Sequence, residues 1–177
     1  MVGGDTYYWS GRSDGNQTQG VVVAVSNKLT PMIIIEVTPV NEHIMRLRIC
    51  HSLGVISLVS VYAPTEASDL TVKDAFYTTL ESVVDQCPRR DTLQVLGDFN
   101  ASTGTDREGY ETCVGPHGSG TMTQNSTKFL DFARSHGLLG WPVHRFSTLR
   151  LIAGLGIPTL VVRQMRLTMC SLIVTGG

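Results

Sequence analysis

Leu96-Gly97-Asp98-Phe99-Asn100 is the stretch on which the reading of this chain turns. It closes an apolar run, Thr92 to Leu96, and delivers an Asp and an Asn two residues apart where that run stops. Side chains at i and i+2 of an extended segment share a face, so Asp98 and Asn100 are expected to point the same way. An Asp can accept a proton from water, and an Asn amide can donate to a phosphate oxygen. Strand ends carry such groups on a rigid element that opens onto a cleft. Taken alone, Gly-Asp-Phe-Asn also reads as a plain turn, because Gly, Asp and Asn all favour turns.

Working outward, a second apolar run, Gly54 to Tyr62, ends in Ser60-Val61-Tyr62-Ala63-Pro64. Tyr62 offers a phenol as another donor to the same anion, or simply finishes a strand. Between the two runs the period changes. Thr71 to Gln86 sets Ala75, Phe76, Leu80, Val83 and Val84 on one face at helical spacing, with Thr71 as N-cap and Pro88 as stop. Upstream, Gly20 to Ser26 and Met32 to Thr38 read as strands. His43 to Cys50 alternates Ile44, Arg46 and Arg48 against Met45, Leu47 and Ile49, the pattern of a strand with one wet face. Short spacing between these strands predicts antiparallel pairing. Downstream, Asn125 caps a second helix with Phe129, Leu130, Phe132 and Ala133 apolar and Gly137 at its end. A mixed sheet covered by helices follows, an α/β sandwich.

The chain has 177 residues, 42% of them hydrophobic and 16% charged, enough for one compact domain. A net charge of −1 argues against a module that binds nucleic acid by electrostatics alone. Cys50, Cys87, Cys113 and Cys170 are far apart, so zinc and a disulfide framework are not suggested, and reduced thiols in an intracellular protein, nuclear or cytoplasmic, are expected. Met1 to Asp5 runs into polar sequence without a signal peptide. The apolar run from Leu151 to Val162 is broken by Gly154, Gly156 and Pro158, too short for a membrane helix, and no membrane partner is expected. His117 and His136 read as surface histidines, and Arg89-Arg90 as a solvated turn.

Together these segments resemble the endonuclease/exonuclease/phosphatase superfamily, in particular its craniofacial development protein 2-like group and the endonuclease domains of non-LTR retrotransposons. The resemblance covers roughly residues 5–137. It rests on Tyr7-Tyr8-Trp9-Ser10-Gly11, Gly20 to Ser26, Ser60 to Pro64, Gly97 to Asn100, and Asn125 leading into Phe129 to Ala133. It implies part of a four-layer α/β sandwich and a Mg²⁺-dependent phosphodiesterase acting on nucleic acid. It also implies Asp98 as the group that orients or deprotonates water, with Asn100 and Tyr62 holding the phosphate and Asn125 contacting substrate. Of two asparagines usual in the last loop, the first is Thr123 here.

The same resemblance marks departures. Members begin with a strand carrying an Asn and a strand ending in a metal-binding Glu, and this chain starts after both. Their closing Thr-Trp-x-Ser and Asp-His segments are also missing. Residues 1–136 carry 10 Lys/Arg and all 15 Asp/Glu, a net of −5, whereas residues 137–177 carry four arginines and no acid, where about five acids are usual. Read one base early, Met165 to Ser171 permits Glu-Ile-Asp-His-Val-Leu, and Leu151 to Thr159 permits His-Arg-Trp-Thr-Trp-Tyr-Ser-Asn. Both are the missing segments, in order and at one offset. The reading is a frameshift between about Gly137 and Arg145, with residues 138–177 an aberrant tail, against the alternative of a natural apolar extension. The copy is expected to be inactive and its metal site incomplete. The alternatives are a non-enzymatic binding or structural module, or an unstable fragment. Such a tail is expected to pack little, with Leu151 to Val162 the segment able to add a strand, and part of the sheet is expected to expose an edge or apolar face.

Overall fold

A computed structural model describes residues 5–11, 20–26, 33–51, 54–102, 104, 108–111, 120–143, 149–150, 161–162 and 169–173. Strands β3 (Ile33–Pro39), β4 (Ile44–His51) and β5 (Gly54–Tyr62) pair antiparallel in sequence order. Helix α1 (Leu70–Asp85) then crosses to β6 (Thr92–Asp98), which lies parallel to β5. Helix α2 (Gln124–Ser135) follows, then β7 (Leu139–Val143), β8 (Leu149–Arg150), β9 (Val161–Val162) and β10 (Met169–Ile173). The main sheet runs β3-β4-β5-β6-β10-β7. Two further strands, β1 (Asp5–Gly11) and β2 (Gly20–Ser26), pair antiparallel as a second sheet.

The two faces of the main sheet have different partners. Ile44, Val59, Val61 and Val95 meet Phe76, Leu80, Val83 and Val84 of α1 and Phe129, Leu130 and Phe132 of α2. Met45, Leu47, Ile49, Leu58 and Leu96 meet Val21, Val23 and Val25 of β2. Burial on both faces explains why β5 is apolar throughout rather than alternating. The described residues thus make three layers, helices on sheet on a two-stranded sheet.

The structure moves several boundaries. Helix α1 begins at Leu70 behind Asp69, without a side-chain cap bond, so Thr71 is not its N-cap. Its buried face is Lys73, Phe76, Tyr77, Leu80, Val83 and Val84, while Ala75 is exposed. Lys73 sits there because Nζ donates to Glu66 O at 2.8 Å, a partner that the periodicity of apolar residues does not reveal. In α2 the N-cap is Thr123, not Asn125: its hydroxyl accepts from Ser126 N–H while Ser126 Oγ accepts from Thr123 N–H. The Arg face of β4 is not wet either. Arg46 donates to Glu36 at 2.6 Å and Arg48 forms a forked pair with the buried Asp91 at 2.7 and 3.1 Å, to which Ser57 Oγ also donates.

The tail departs most from expectation. Its backbone adds two strands to the main sheet, with β10 between β6 and β7. The recruited segment is Met169–Ile173; residues 151–160 of the run expected to do this lie outside those described. The reason is that β6 presents a free ladder edge beside β5, and unpaired backbone groups at a sheet's centre are costly. Exposed apolar side chains do occur at the margins: Tyr7 and Trp9 on β1, Ile33 and Ile35 on β3.

Candidate functional site

Tyr62 and Asp98 are register partners at the ends of β5 and β6, and Ala63 N–H continues the ladder to Asp98 O at 2.8 Å. Parity places both on the face that also carries Leu96, toward β1 and β2. The two strand ends approach closely only because of Gly97. Its φ is +153°, and a Cβ there would lie 1.9 Å from Val61 O.

Extended geometry does not reach Asn100, since β6 ends at Asp98. Asn100 has φ +47°, a left-handed backbone uncommon outside Gly, and its N–H donates to Asp98 Oδ1 at 2.8 Å. The two side chains are thus joined by a tight turn rather than by an extended segment. Asn100 Nδ2 donates to Ala63 O at 2.7 Å, which ties the Asp98 loop to the Tyr62 loop.

Asp98 is 4% exposed. Burial pushes its carboxyl up to about 6, opposed by the Asn100 N–H. A carboxyl in that range exchanges its proton near neutrality, which suits a general base or acid. Tyr62 is half-buried with its ring against the inter-sheet core.

Asn125 is 1% exposed and donates from Nδ2 to Pro64 O at 2.9 Å and Asn100 O at 3.1 Å. Both amide protons are spent, so its side chain fixes the two loops to the first turn of α2. Its amide thus positions the two loops that carry Tyr62 and Asn100. Glu66 completes the tie, accepting from Gln124 N–H at 3.3 Å and Asn125 N–H at 3.2 Å at the positive end of α2. Burial pushes the Glu66 carboxyl up, but bonds from Thr123 and the Asn125 N–H outweigh it and hold the group below its usual range.

His43 is a site neighbour that sequence reasoning missed. Its Nδ1 lies 2.7 Å from Tyr62 O, and since a carbonyl only accepts, Nδ1 carries the proton. The ring stacks on Tyr62 with centroids 6.2 Å apart and meets Phe76 edge-on. No local pattern signals this, because the contact joins a turn to the end of a strand 19 residues away. His136 caps α2, its Nδ1 3.0 Å from Phe132 O and its ring on Phe132 at 4.7 Å. His117 lies outside the described residues. Arg89 and Arg90 form an exposed turn.

The described residues do not assemble a Mg²⁺ site. Such an ion asks for several oxygen ligands, usually with one or two carboxylates. Among the described residues no three of His, Cys, Asp and Glu come together, and burial, not a neighbouring charge, governs Asp98. No helix among them is long and apolar enough to cross a membrane.

No family model matches the sequence. Over 118 residues the chain is 25% identical to craniofacial development protein 2 of Tragulus javanicus, and 24% to that of Bos taurus. Each alignment covers 67% of this chain and 20% of the relative, so the chain spans about one fifth of the length of these curated proteins. Among solved structures, the endonuclease domain of TRAS1, a telomere-specific non-LTR retrotransposon, superposes with a TM-score of 0.59 at 15% identity, covering 96% of this chain and 67% of that one. The chain therefore has a fold of the endonuclease/exonuclease/phosphatase type and a sequence similar to craniofacial development protein 2.

Proposed function

We propose that this chain descends from a Mg²⁺-dependent nucleic-acid phosphodiesterase and that this copy does not cleave. The observation that carries the reading is the state of Asp98. It is buried at a strand end beside Tyr62 and Asn100, as a base facing a phosphate would be, yet among the described residues its carboxylate is met by the Asn100 N–H and by no cation. In phosphodiester hydrolysis, water attacks phosphorus as a base takes its proton, while donors steady the phosphate oxygens. Asp98 is suited to the first task. The Tyr62 phenol and the remaining Asn100 amide proton are suited to the second, and Asn125 and His43 hold the loops that carry them. A metal would supply charge neutralisation, and the described residues do not bring ligands for it together.

The register of β10 supports a shifted reading frame. Cys170 pairs with Gly97, so one step further Met169 comes opposite Asp98. In the frame one base early, the residue at that position is His. An imidazole across the ladder from Asp98 would give the carboxylate a charged or hydrogen-bonding partner.

The test is cleavage of supercoiled plasmid and of abasic duplex in Mg²⁺. The chain as it stands is expected to match a buffer control. A version with the corrected downstream frame and an upstream segment supplying the Glu strand is expected to cleave, and Asp98→Ala in it to abolish cleavage. Removing one member of a set that acts as a unit costs most of its effect. Robust Mg²⁺-dependent cleavage by the unrepaired chain, lost on Asp98→Ala, would overturn the reading of inactivity. A repaired chain that stays inert would overturn the reading of descent.

A further inference from the structure

Gln94 is 1% exposed, and its Nε2 meets no acceptor among the described residues. It precedes Leu96 and Asp98 on β6 by two and four residues, so all three share the face toward β1 and β2. Its neighbour on β5 is Leu58, and Leu58 and Leu96 are both fully buried. A buried amide without an acceptor is costly, and such a group calls for a cause. Since β5 offers Leu58 there, the cause is to be sought on the strand at the other side of β6.

That strand is β10. Ile173 stands opposite Gln94 and Ser171 opposite Leu96, and the same count sets Met169 opposite Asp98. Directly opposed positions of paired strands share a face, with Cβ atoms close enough for side chains to bond. From Gln94 to Asp98 that face of β6 reads polar, apolar, polar, whereas the opposed residues Ile173, Ser171 and Met169 read apolar, polar, apolar. The frame one base early reverses all three. Position 169 becomes His and position 171 becomes Leu. Position 173 is constrained by the genetic code itself: every Ile codon begins A-T, and any base set before A-T spells Asn, Asp, His or Tyr. Each of these carries an acceptor that isoleucine lacks.

We propose that Gln94 is a positioning residue, whose amide bonds residue 173 of the restored frame and so fixes the register that sets residue 169 opposite Asp98. The proposal rests on the shifted-frame reading and adds to it what holds the closing strand in place. A slip of one residue turns every side chain to the other face. A slip of two sets the leucine of position 171 against Asp98 or against Gln94. One register alone matches all three positions.

The experiment is a double-mutant cycle between Gln94→Met and Ile173→Asn in the full chain as it stands, read by urea unfolding. Gln94→Met keeps the shape and removes the unpaired amide, so it is expected to raise the midpoint. Ile173→Asn sets an acceptor opposite that amide. It is expected to cost less with Gln94 present than in the Gln94→Met background, a coupling of about 2- to 150-fold in the unfolding constant. Ile173→Thr closes the same cycle should Ile173→Asn not fold. In the repaired chain the sign reverses. Gln94→Met is expected there to lower the midpoint and to cut kcat about 100-fold with KM kept, because the partner of Asp98 is displaced. The acid limb of kcat should also return toward about 6, the value to which burial pushes Asp98 in the present chain, a change that a smaller folded fraction does not produce. A lowered midpoint for Gln94→Met in the chain as it stands, or additive changes in the cycle, would overturn the pairing. An acid limb unmoved by Gln94→Met in the repaired chain would overturn the positioning role. If the repaired chain fails to cleave while the cycle shows coupling, the reading of descent falls and the pairing stands. Cleavage by the repaired chain with an additive cycle sinks the pairing alone.

Discussion

Asp98 concentrates the chemistry at the scale of one residue. Its carboxyl, raised from 3.8 to about 6 by burial, stays protonated in the fold over a range where the unfolded chain has already ionised. The folded state thus binds more protons between these values, and stability falls as pH rises from about 4 through about 6. Above that range the charged, buried group is a constant cost. Asp98→Asn retains an Oδ1 acceptor for the Asn100 N–H and removes the charge. It is expected to raise unfolding free energy by about 1–2 kcal/mol at pH 7.5, after allowing for solvent screening at a strand end. The gain should shrink toward pH 4, as read from urea denaturation at a series of pH values. A gain that does not depend on pH would mean that ionisation of Asp98 is not what burial opposes. Asp98 was visible in sequence because a charged residue ends an apolar run. His43 was not, since only the closing of β4 on β5 brings it to Tyr62.

At the scale of elements, α2 anchors the site. Its first turn holds Pro64 O and Asn100 O through Asn125 and is itself capped by Glu66 and Thr123. Asn125→Ala strands two acceptors, one of them fully buried, and is expected to cost about 2 kcal/mol or more. Glu66→Ala removes the cap and also the carboxylate 3.6 Å from the buried Lys73 Nζ, so more than the about 1 kcal/mol of a cap alone is expected, without the loosening at 99–101. Chemical denaturation gives both values. Amide exchange should show the larger loosening at 99–101 in Asn125→Ala, and equal loosening by the two changes would mean that the asparagine is not the tie. The helix itself was legible from the spacing of Phe129, Leu130, Phe132 and Ala133, all buried as that spacing implies. Its cap was misplaced by two residues because Thr123, Asn125 and Ser126 are all capping types, and only geometry selects among them.

Over the whole molecule, the tail decides whether the sheet is complete. With β10 between β6 and β7, its backbone bonds on both sides. Ser171, opposite Leu96 and Trp141, is in the middle of that strand. Ser171→Pro removes a ladder donor from a central strand and is expected to destabilise the chain by about 3 kcal/mol. It should also deprotect the amides of 94–97 to hydrogen exchange. A change without effect on either would show that the tail does not join the sheet in solution. A shifted frame and a paired strand are compatible, because pairing asks only for an extended, mostly apolar segment, and Met169–Ile173 is one.

The sequence by itself determined the alternation of strands and helices, the antiparallel start of the sheet, the crossover helix and the two strand ends that carry Tyr62 and Asp98. All of these are written in local periodicity and in the polar residues that interrupt it. Tertiary structure alone decided that Arg46 and Arg48 are paired, that Lys73 is buried, that Asn125 ties loops together, and that β10 rather than the longer apolar run lies beside β6. Each of those outcomes depends on a partner distant in the chain, and a linear pattern carries no record of which distant group will be there.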